Sequence, residues 1–352
     1  MKIPPTAFRL FQKAAASCQR EDLLPPGSLI VAGVSGGVDS MLLLAFLQYI
    51  QKTDSFDLAA CHVNHRIRRQ EADLDQALVE EYCRARSIPL ETVQVDVPLL
   101  AQEEGMGLEA AGRMARRRAF EEAAAKRLNP KIHPAGFRIA LAHHLDDRAE
   151  SILLHMGRGA GLGGLVGIRY EDGPYVRPFL DIRRGEIEEA AASLDLPWRE
   201  DASNRSEVFL RNRIRRRLLP LWEEILGYDP APLLAGLGSL AGRDDAALED
   251  QARLWLQSAL LPDGSLAVPE LAGLPSAVQA RVLQKYLGGN IKGGREEMDQ
   301  AHSLSRVHIE ELMALLKEAV SQDKREAALS LPGGGRAEIS MGRLRFAAGE
   351  KI

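Results

Sequence analysis

The chain has 352 residues, enough for a large hydrophobic core and for two domains. Its composition, 45% hydrophobic and 27% charged, is ordinary for a globular protein. Its longest apolar runs, of about ten residues, are well short of the roughly 20 that a membrane-spanning helix needs. The formal net charge of −4 does not by itself indicate a nucleic-acid-binding protein, although the arginines are clustered.

The first residues, MKIPPTAFRLFQ, contain no apolar signal core followed by a cleavage site, so we expect a cytoplasmic protein. The three cysteines are Cys18, Cys61 and Cys83. Their wide spacing indicates neither a disulfide framework nor a CxxC metal site.

Strands and helices alternate in the first half of the chain. Apolar runs predict strands at 28–34, 57–63, 90–97 and 137–143, and helical patterns follow them at 40–51, about 69–86, about 108–127 and from about 146. This order is typical of an α/β fold with a doubly wound parallel sheet. Ligands bind such sheets at the carboxyl ends of the strands, where the segments SGGVDS, HVNH and AHHLDD are expected.

The composition changes after residue 200. Residues 201–222 are rich in arginine, and residues 223–325 are rich in alanine and leucine with helical periodicity. Residues 329–346 alternate around a glycine turn and predict a β-hairpin. We therefore predict an α/β domain over 1–220 and a smaller, mainly helical domain over 221–352.

The segment SGGVDS, residues 35–40, lies between a predicted strand and a predicted helix. A glycine loop at a helix N-terminus binds anions through its backbone N–H groups and the helix dipole. The chain has no Walker motif with its lysine, so this loop is suited to hold pyrophosphate while Asp39 holds Mg²⁺. A plain strand–turn–helix is the alternative. A second glycine pattern at 159–164 follows a predicted helix, so it lacks the context of a dinucleotide motif.

The segment HHLDDRAE, residues 143–150, places two histidines and three carboxylates at a strand end and helix start. Asp147 and Glu150 are three residues apart and should share a helix face. The helix dipole alone also favours acidic residues in a first turn. A zinc site formed by His62, His65, His143 and His144 is a further alternative. The sequence offers no cysteine ligands for it and no HExxH spacing.

Two segments carry clustered arginines. In residues 107–120, the spacing of Arg113 predicts that it lies on the apolar side of a helix with Leu108, where it could neutralise phosphate charge. A solvated helix face is an equal alternative. The segment 205–220 predicts a polyanion-binding patch, or else a surface helix with snorkelling side chains, and carries Arg205, Arg211, Arg213, Arg215, Arg216 and Arg217.

Together these segments resemble one family, the tRNA(Ile)-lysidine synthases of the PP-loop (N-type) ATP pyrophosphatase superfamily. The resemblance covers about residues 29–222. It is carried by VSGGVDSMLLL, CHVNHRIR, GLEAAGRMARRRAF, LAHHLDDRAESILLHMGRGAGLGGL, VRPFLDIRRGEI and WREDASNRSEVFLRNRIRRRLLP. The tail LPGGGRAEISMGRLRF resembles the end of the family's middle domain, so we expect the short form without the further C-terminal domain of long members.

The resemblance implies a carbon–nitrogen ligase. ATP would adenylate the C2 oxygen of the wobble cytidine in tRNA(Ile) with a CAU anticodon, and free L-lysine would then displace AMP to give lysidine. An amide-like oxygen is a poor leaving group, so it must first become an AMP ester. That requirement explains a pyrophosphate cradle without a Walker lysine.

The resemblance also implies the residues of each site. Ser35, Gly36, Gly37, Val38, Asp39, Ser40 and His62 would bind ATP, with Mg²⁺ on Asp39. Arg113 would attend the adenylated base. Asp147 and Glu150 would bind lysine, since a buried ammonium needs carboxylate partners, and Asp147 could instead hold a second Mg²⁺. The tRNA contacts would be Arg205, Arg211, Asn212 and Arg215.

Two other functions stay open. A PP-loop tRNA thiolase, or another tRNA-adenylating enzyme, would share the adenylation step, but a thiolase needs catalytic or cluster-binding cysteines, often as CxxC pairs. A non-enzymatic nucleotide-binding module would explain the sheet and the glycine loop but neither HHLDD nor the arginine segment. The oligomeric state is also open, with a homodimer as one option.

Overall fold

A computed structural model of the chain describes residues 3–66, 69–200, 210–290, 306–322, 326–331 and 334–347. The chain divides into two compact units, Met1–Ser239 and Leu240–Ile352.

The first unit is built on a six-stranded sheet. Its strands are β1 Leu29–Gly33, β2 Asp57–Asn64, β3 Leu90–Gln94, β4 Phe137–Ala140, β5 Glu171–Asp172 and β6 Tyr175–Val176. Its helices are α1 Pro5–Arg20, α2 Val38–Ile50, α3 Arg69–Ala85, α4 Val97–Glu103, α5 Leu108–Arg127, α6 Leu145–Gly157, α7 Leu162–Leu165, α8 Arg184–Ser193, α9 Leu210–Arg213, α10 Leu219–Leu226 and α11 Ala231–Ala259, which begins in this unit. A π-helical turn, Ile214–Leu218, joins α9 to α10.

Helices cover both faces of the sheet. Successive residues of β1 point to opposite faces: Ile30 packs into the cluster formed with α1, α2 and α8, and Val31 packs into the cluster formed with α5. Burial on both faces explains why the strands are continuous apolar runs. The doubly wound parallel sheet predicted from the sequence is confirmed.

The strand order β3-β2-β1-β4-β6-β5 is parallel apart from β5. The chain runs from β1 to β2 on one side, and β4 pairs with β1 on the other, as Val31 pairs with both Ala59 and Ile139. The loops after β1 and β4 therefore leave the sheet side by side at the point where the winding reverses. Open α/β sheets bind ligands in this crevice.

The second unit combines helices with a four-stranded antiparallel sheet of order β7-β10-β9-β8. Its elements are β7 Leu266–Ala267, α12 Val268–Ala272, α13 Ser276–Asn290, α14 Arg306–Ser321, β8 Glu326–Ser330, β9 Arg336–Ser340 and β10 Arg343–Ala347. The predicted hairpin is the pair β8–β9, and a second turn adds β10. That turn uses Met341 (φ 50°) and Gly342 (φ 72°), the two positive φ values that a tight two-residue hairpin loop requires.

The first unit extends beyond the 1–220 domain predicted from the sequence. Ala231 and Leu234 of α11 pack with Ala149 and Ile152 of α6. Gly238 lies so close to α6 that an added Cβ would meet the side chain of Ile152 at 2.9 Å. These contacts place the start of α11 with the sheet-bearing unit.

We predict that Phe46→Ala lowers the free energy of unfolding by about 3–5 kcal/mol, because it empties a fully buried site. Phe46 of α2 is 0% exposed, and its ring centroid lies 5.5 Å from that of Phe11 and 5.6 Å from that of Phe179. Urea denaturation measures the loss. Phe8→Ala is the matched control, since Phe8 is 38% exposed and should cost far less. Equal losses would contradict the packing of α1 and α2 described above.

Candidate active site

The loop between β1 and α2 is braced by the hydroxyls of Ser35 and Ser40, whose Oγ atoms lie 3.1 Å apart. Ser40 Oγ accepts a hydrogen bond from the Ser35 N–H at 3.1 Å and donates one to the Gly37 carbonyl at 3.0 Å. Gly36 has a φ of +92°, which a residue with a Cβ rarely adopts, and an added Cβ would meet Asp75 at 3.3 Å. Val38 begins α2 and is buried. The loop therefore has the form of a backbone cradle at a helix N-terminus, suited to an anion.

Asp39 projects from the first turn of α2. Among the described residues, its Oδ1 atom is buried and has no hydrogen-bond partner. Burial raises the pKa of the Asp39 carboxyl, and the nearby charges of His144 and Arg184 offset this only in part. A buried carboxylate oxygen without a protein partner is a natural ligand for a hard cation such as Mg²⁺. The donor set therefore fits a metal at this position.

The segment after β4 forms a capping box at the start of α6. The backbone N–H of His144 donates to Asp147 Oδ2 at 3.0 Å, and the N–H of Asp147 donates to His144 Nδ1 at 3.4 Å. Burial disfavours the charged imidazole, but the hydrogen bond to Asp146 and the charges of Asp147 and Asp39 outweigh it, so the pKa of His144 is raised. The charges of His144 and Asp147 both act on Asp39 in the first turn of α2, so the start of α6 lies near the start of α2.

Burial favours the neutral form of the other three histidines of the zinc-site alternative, His62, His65 and His143. Burial lowers the pKa of His62, whose Nδ1 lies 2.8 Å from the Val34 carbonyl, and lowers the pKa of His65 to about 4 and that of His143 to about 3. Among the residues described, no group of three or more His, Cys, Asp and Glu side chains could hold a metal ion. The alternative of a four-histidine zinc site therefore gains no support from the geometry.

Asp146 and Asp147 are neighbours in the sequence, but Asp146 has different partners in the structure. Arg183 contacts Asp146 through Nη2 at 2.7 Å and Nε at 3.0 Å, and the Arg184 N–H donates to it at 2.9 Å. Burial alone would raise the pKa of Asp146, but its hydrogen bonds with His144, Arg183 and the Arg184 N–H outweigh burial and hold the pKa well below its usual range. Asp146 therefore joins the start of α6 to the start of α8.

Asp147 and Glu150 are joined to two arginines. Arg211 Nε donates to Glu150 Oε2 at 2.8 Å, and Arg215 contacts Glu150 Oε1 through Nε at 2.5 Å and Oε2 through Nη2 at 3.1 Å. The Nη2 atoms of both arginines lie 3.1 Å from Asp147 Oδ1. Glu150 is 0% exposed and Asp147 13%, whereas Arg211 is 36% and Arg215 25% exposed. We call these four residues the acid–arginine cluster.

The acid–arginine cluster brings together residues that were predicted to bind different substrates. Asp147 and Glu150 were expected at the lysine, and Arg211 and Arg215 at the tRNA, yet the structure pairs them with each other. Asn212 lies between the two arginines in α9. Arg205, the remaining predicted tRNA contact, lies outside the described residues. The charges of Asp147 and Arg215 also act on Asp39, so the cluster lies near the glycine loop.

Arg113 lies on the exposed side of α5, contrary to the helical spacing that placed it with the apolar residues. The buried side of α5 consists of small residues and Phe120, namely Ala111, Ala115, Ala119, Phe120, Ala123 and Ala124. Arg177 is buried, and burial lowers the pKa of its guanidinium. The nearby positive charges of Arg113 and Arg117 lower this pKa further. The burial of Arg177 could not be predicted from the sequence, since one arginine in an apolar segment carries no periodic signal.

The cysteines and the second glycine pattern argue against thiol chemistry and against a dinucleotide cofactor site. All three cysteines are free and buried, and burial raises the pKa of Cys83 to about 11 and those of Cys18 and Cys61 to about 12. Such thiols are inert. The glycine pattern at 159–164 follows α6, a helix, so it lacks the strand that a dinucleotide motif requires. Within the described ranges, no helix is long and apolar enough to cross a membrane.

The chain is similar to known proteins in sequence and in fold. A family model described as "PP-loop domain" matches residues 10–222. Three curated relatives are named tRNA(Ile)-lysidine synthase. That of Caldanaerobacter subterraneus is 30% identical over 89% of this chain and 65% of its own length, that of Clostridioides difficile 31% over 87% and 64%, and that of Geobacillus kaustophilus 30% over 96% and 70%. The chain thus spans about two thirds of the length of these relatives.

A solved structure shares the fold. The U34-tRNA thiolase NcsA of Methanococcus maripaludis, solved with its 4Fe–4S cluster, superposes with a TM-score of 0.54 over 67% of this chain and 80% of that one, at 16% identity. A match at this identity shows a common fold alone. The sequence comparisons are more specific: the chain belongs to the PP-loop family and, within it, to the family of the tRNA(Ile)-lysidine synthases.

Proposed function

We propose that this chain joins free L-lysine to C2 of the wobble cytidine of tRNA(Ile) with a CAU anticodon, using ATP and releasing AMP and pyrophosphate. The observation that carries the proposal is the adjacency of two features at one crevice: the glycine loop with Asp39, and the buried carboxylates Asp147 and Glu150 beside two arginines. An anion cradle, a cation site and an RNA-directed patch are the three recognition elements that the reaction needs. The product would pair with A instead of G.

The first half-reaction concerns the loop. The cytidine C2 oxygen attacks the α-phosphorus of ATP, and pyrophosphate leaves. The backbone of residues 35–40 would hold the phosphates at the N-terminus of α2, and His62 lines the neighbouring strand end. Asp39 would hold Mg²⁺, which when bound neutralises phosphate charge. Arg113, exposed on α5, would attend the adenylated base.

The second half-reaction concerns the carboxylates. The lysine ε-amine attacks C2 and AMP leaves, so the amine must lose its proton before or during the attack. Asp147 and Glu150 would hold the cationic substrate in a buried place where water cannot solvate it. Arg205, Arg211, Asn212 and Arg215 would contact tRNA phosphates, and residues 221–352 would contribute to tRNA recognition. Since ATP and tRNA are the substrates, we place the reaction in the cytoplasm.

The direct test incubates the protein with ATP, Mg²⁺, labelled lysine and a tRNA(Ile) transcript with a CAU anticodon. We expect ATP-dependent label in the tRNA, together with AMP and pyrophosphate. A transcript with a UAU anticodon is the matched control and should stay unlabelled. A parallel reaction with a labelled sulfur donor tests the thiolase alternative, which the inert, buried cysteines disfavour. Sulfur incorporation without lysine incorporation would overturn the proposal.

We predict that Asp39→Asn stabilises the ligand-free protein while abolishing pyrophosphate release. Because burial raises the folded-state pKa of Asp39 above the unfolded value of about 3.9, its contribution to stability is complete below the unfolded pKa and is lost as pH rises through the folded pKa. The variant should therefore melt at a higher temperature than the wild type near pH 7, and this difference should shrink towards pH 4. Thermal melts across this pH range measure it. A variant that is less stable near pH 7 would mean that protein groups satisfy the carboxylate.

We predict that Asp147→Asn raises the lysine KM about 10–150-fold, which corresponds to a lost charge-assisted partner of about 1.5–3 kcal/mol. The asparagine keeps the shape of the side chain and an oxygen for the arginines. Adenylation should persist, and labelled AMP trapped on tRNA without lysine would show it.

Asp146→Asn is the matched control for this variant. It removes a neighbouring carboxylate that Arg183 holds, so it should lower the melting temperature and leave the lysine KM nearly unchanged. If Asp147→Asn forms no adenylate, Asp147 is a metal ligand and the lysine assignment is wrong.

A further inference from the structure

Arg177 is a buried cation that no carboxylate of the described residues pairs with. It follows β6 directly and is 7% exposed. Its Nη1 atom donates to the Arg169 carbonyl at 2.9 Å, but its Nε atom is buried and has no hydrogen-bond partner. The charge of Asp172 acts on it, yet no ion pair joins these two side chains among the described contacts. A buried charge without a partner costs folding free energy, so the stability of the free protein does not explain Arg177.

The neighbours of Arg177 add positive charge to this region. The charges of Arg113 and Arg117 both act on it from α5. Arg117 has partners of its own, since its guanidinium lies 4.7 Å from the centroid of the Tyr175 ring and 3.9 Å from Glu121 Oε1. The side chain of Arg113 is exposed and makes no hydrogen bond or ion pair with another described residue. Two arginines without a carboxylate partner therefore lie near each other, which favours the binding of an anion.

The sheet places Arg177 at the edge where ligands bind. The Leu141 N–H donates to the Val176 carbonyl at 2.9 Å, so Arg177 leaves the carboxyl end of β6 beside the segment that leads from β4 to α6. The charge of Arg177 acts on His143 in that segment, and His143 Nδ1 is a second buried nitrogen atom without a hydrogen-bond partner in the described part of the chain. Because β4 lies between β1 and β6, the glycine loop and Arg177 flank this segment from opposite sides.

We infer that Arg177 anchors a second phosphate-binding site at the end of β6, with Arg113 at its exposed side, and that its ligand is a tRNA backbone phosphate next to the wobble cytidine. The inference rests on the proposed function. A guanidinium recognises a phosphate through two parallel N–H bonds, and the phosphate supplies the negative charge that Arg177 lacks in the free protein.

The order of the strands favours tRNA over ATP as the source of this phosphate. The phosphates of ATP are assigned to the glycine loop, on the β1 side of β4. Neighbouring strands are about 4.8 Å apart, so a cytidine placed over the carboxylates after β4 reaches the end of β6 with its own backbone phosphate. A phosphate held by Arg177 fixes the wobble nucleotide between the ATP phosphates and the pair Asp147 and Glu150.

The first test uses the wild-type protein alone, so it does not depend on the folding of a variant. A fluorescently labelled CAU-anticodon stem–loop is titrated with protein in the absence of ATP, and fluorescence anisotropy gives its affinity. A neutral methylphosphonate in place of the phosphate on one side of the wobble nucleotide should weaken binding about 10- to 150-fold, the loss expected of a charge-assisted hydrogen bond. The same substitution in the stem is the control. Full affinity after replacement of both flanking phosphates would overturn the inference.

Arg177→Met removes the charge and keeps the length of the side chain. It should weaken binding of the unmodified stem–loop by the same factor and make the methylphosphonate harmless. The slope of log affinity against log salt should fall by about 0.7, the value for one phosphate of a single strand. Without RNA, the variant should melt at a higher temperature than the wild type, since an unpaired buried charge is gone. A lower melting temperature would mean that Arg177 supports the fold, and unchanged RNA affinity that it binds no phosphate of the stem–loop. Either result would overturn the inference.

Arg138→Met is the matched control. It removes the same charge from the neighbouring strand β4, but Arg138 has protein partners: Nη2 lies 3.7 Å from Glu171 Oε1, and Nη1 donates to the Phe137 carbonyl at 3.2 Å. This variant should keep the RNA affinity of the wild type and should not melt at a higher temperature. Equal losses of RNA affinity in both variants would mean that net charge matters and the position of Arg177 does not, which would overturn the inference.

Two further measurements separate the possible failures. Equilibrium dialysis with ATP alone identifies the source of the phosphate: we expect Arg177→Met to bind ATP as the wild type does, and a loss of ATP affinity with unchanged RNA affinity would overturn the assignment to tRNA. The ligation assay tests the proposed function. A wild-type protein that transfers lysine to tRNA but tolerates both methylphosphonates keeps the proposed function and loses this inference alone. A protein that never transfers lysine to tRNA loses the proposed function, and the inference with it.

Discussion

The pairing of Glu150 with Arg211 and Arg215 is the interaction on which the candidate site depends. Glu150 is wholly excluded from solvent, and a charge in that position persists only with partners of opposite charge and good geometry. Its two arginines come from a segment more than 60 residues later in the chain. The pairing therefore attaches α9 and the π-helical turn to α6, and it places the arginine-rich segment beside the carboxyl ends of the central strands.

Four carboxylates at this crevice have different environments, which indicate different functions. Asp146 is satisfied by Arg183 and the Arg184 backbone and joins two helices. Asp147 and Glu150 are paired with Arg211 and Arg215. Asp39 alone among them has a buried oxygen that lacks a partner in the described part of the chain, and burial raises its pKa. The fold thus holds one carboxylate between two helices, pairs two with arginines and leaves one with a buried oxygen that has no partner among the described residues.

The sequence predicted those features of the structure that depend on residues close together in the chain. The strands, the helices that follow them, the glycine loop and the position of HHLDD at a strand end all follow from local periodicity and turn chemistry. It did not predict which charges pair across long separations, because spacing along a helix identifies a face and not its partner. Arg211 and Arg215 were therefore expected at tRNA phosphates and not at carboxylates of the protein, and nothing in the sequence distinguished Asp146 from Asp147. Arg113 is exposed because α5 packs through alanines, which helical spacing did not separate from the rest of the helix.

The most direct test of this account is a crystal structure of the protein with an ATP analogue, Mg²⁺ and L-lysine bound. If the buried carboxylates hold the cationic substrate, the lysine ammonium should lie within about 4 Å of a carboxylate oxygen of Asp147 or Glu150, and the metal should lie on Asp39. A lysine bound away from both carboxylates, or a metal held by Asp147, would contradict the account.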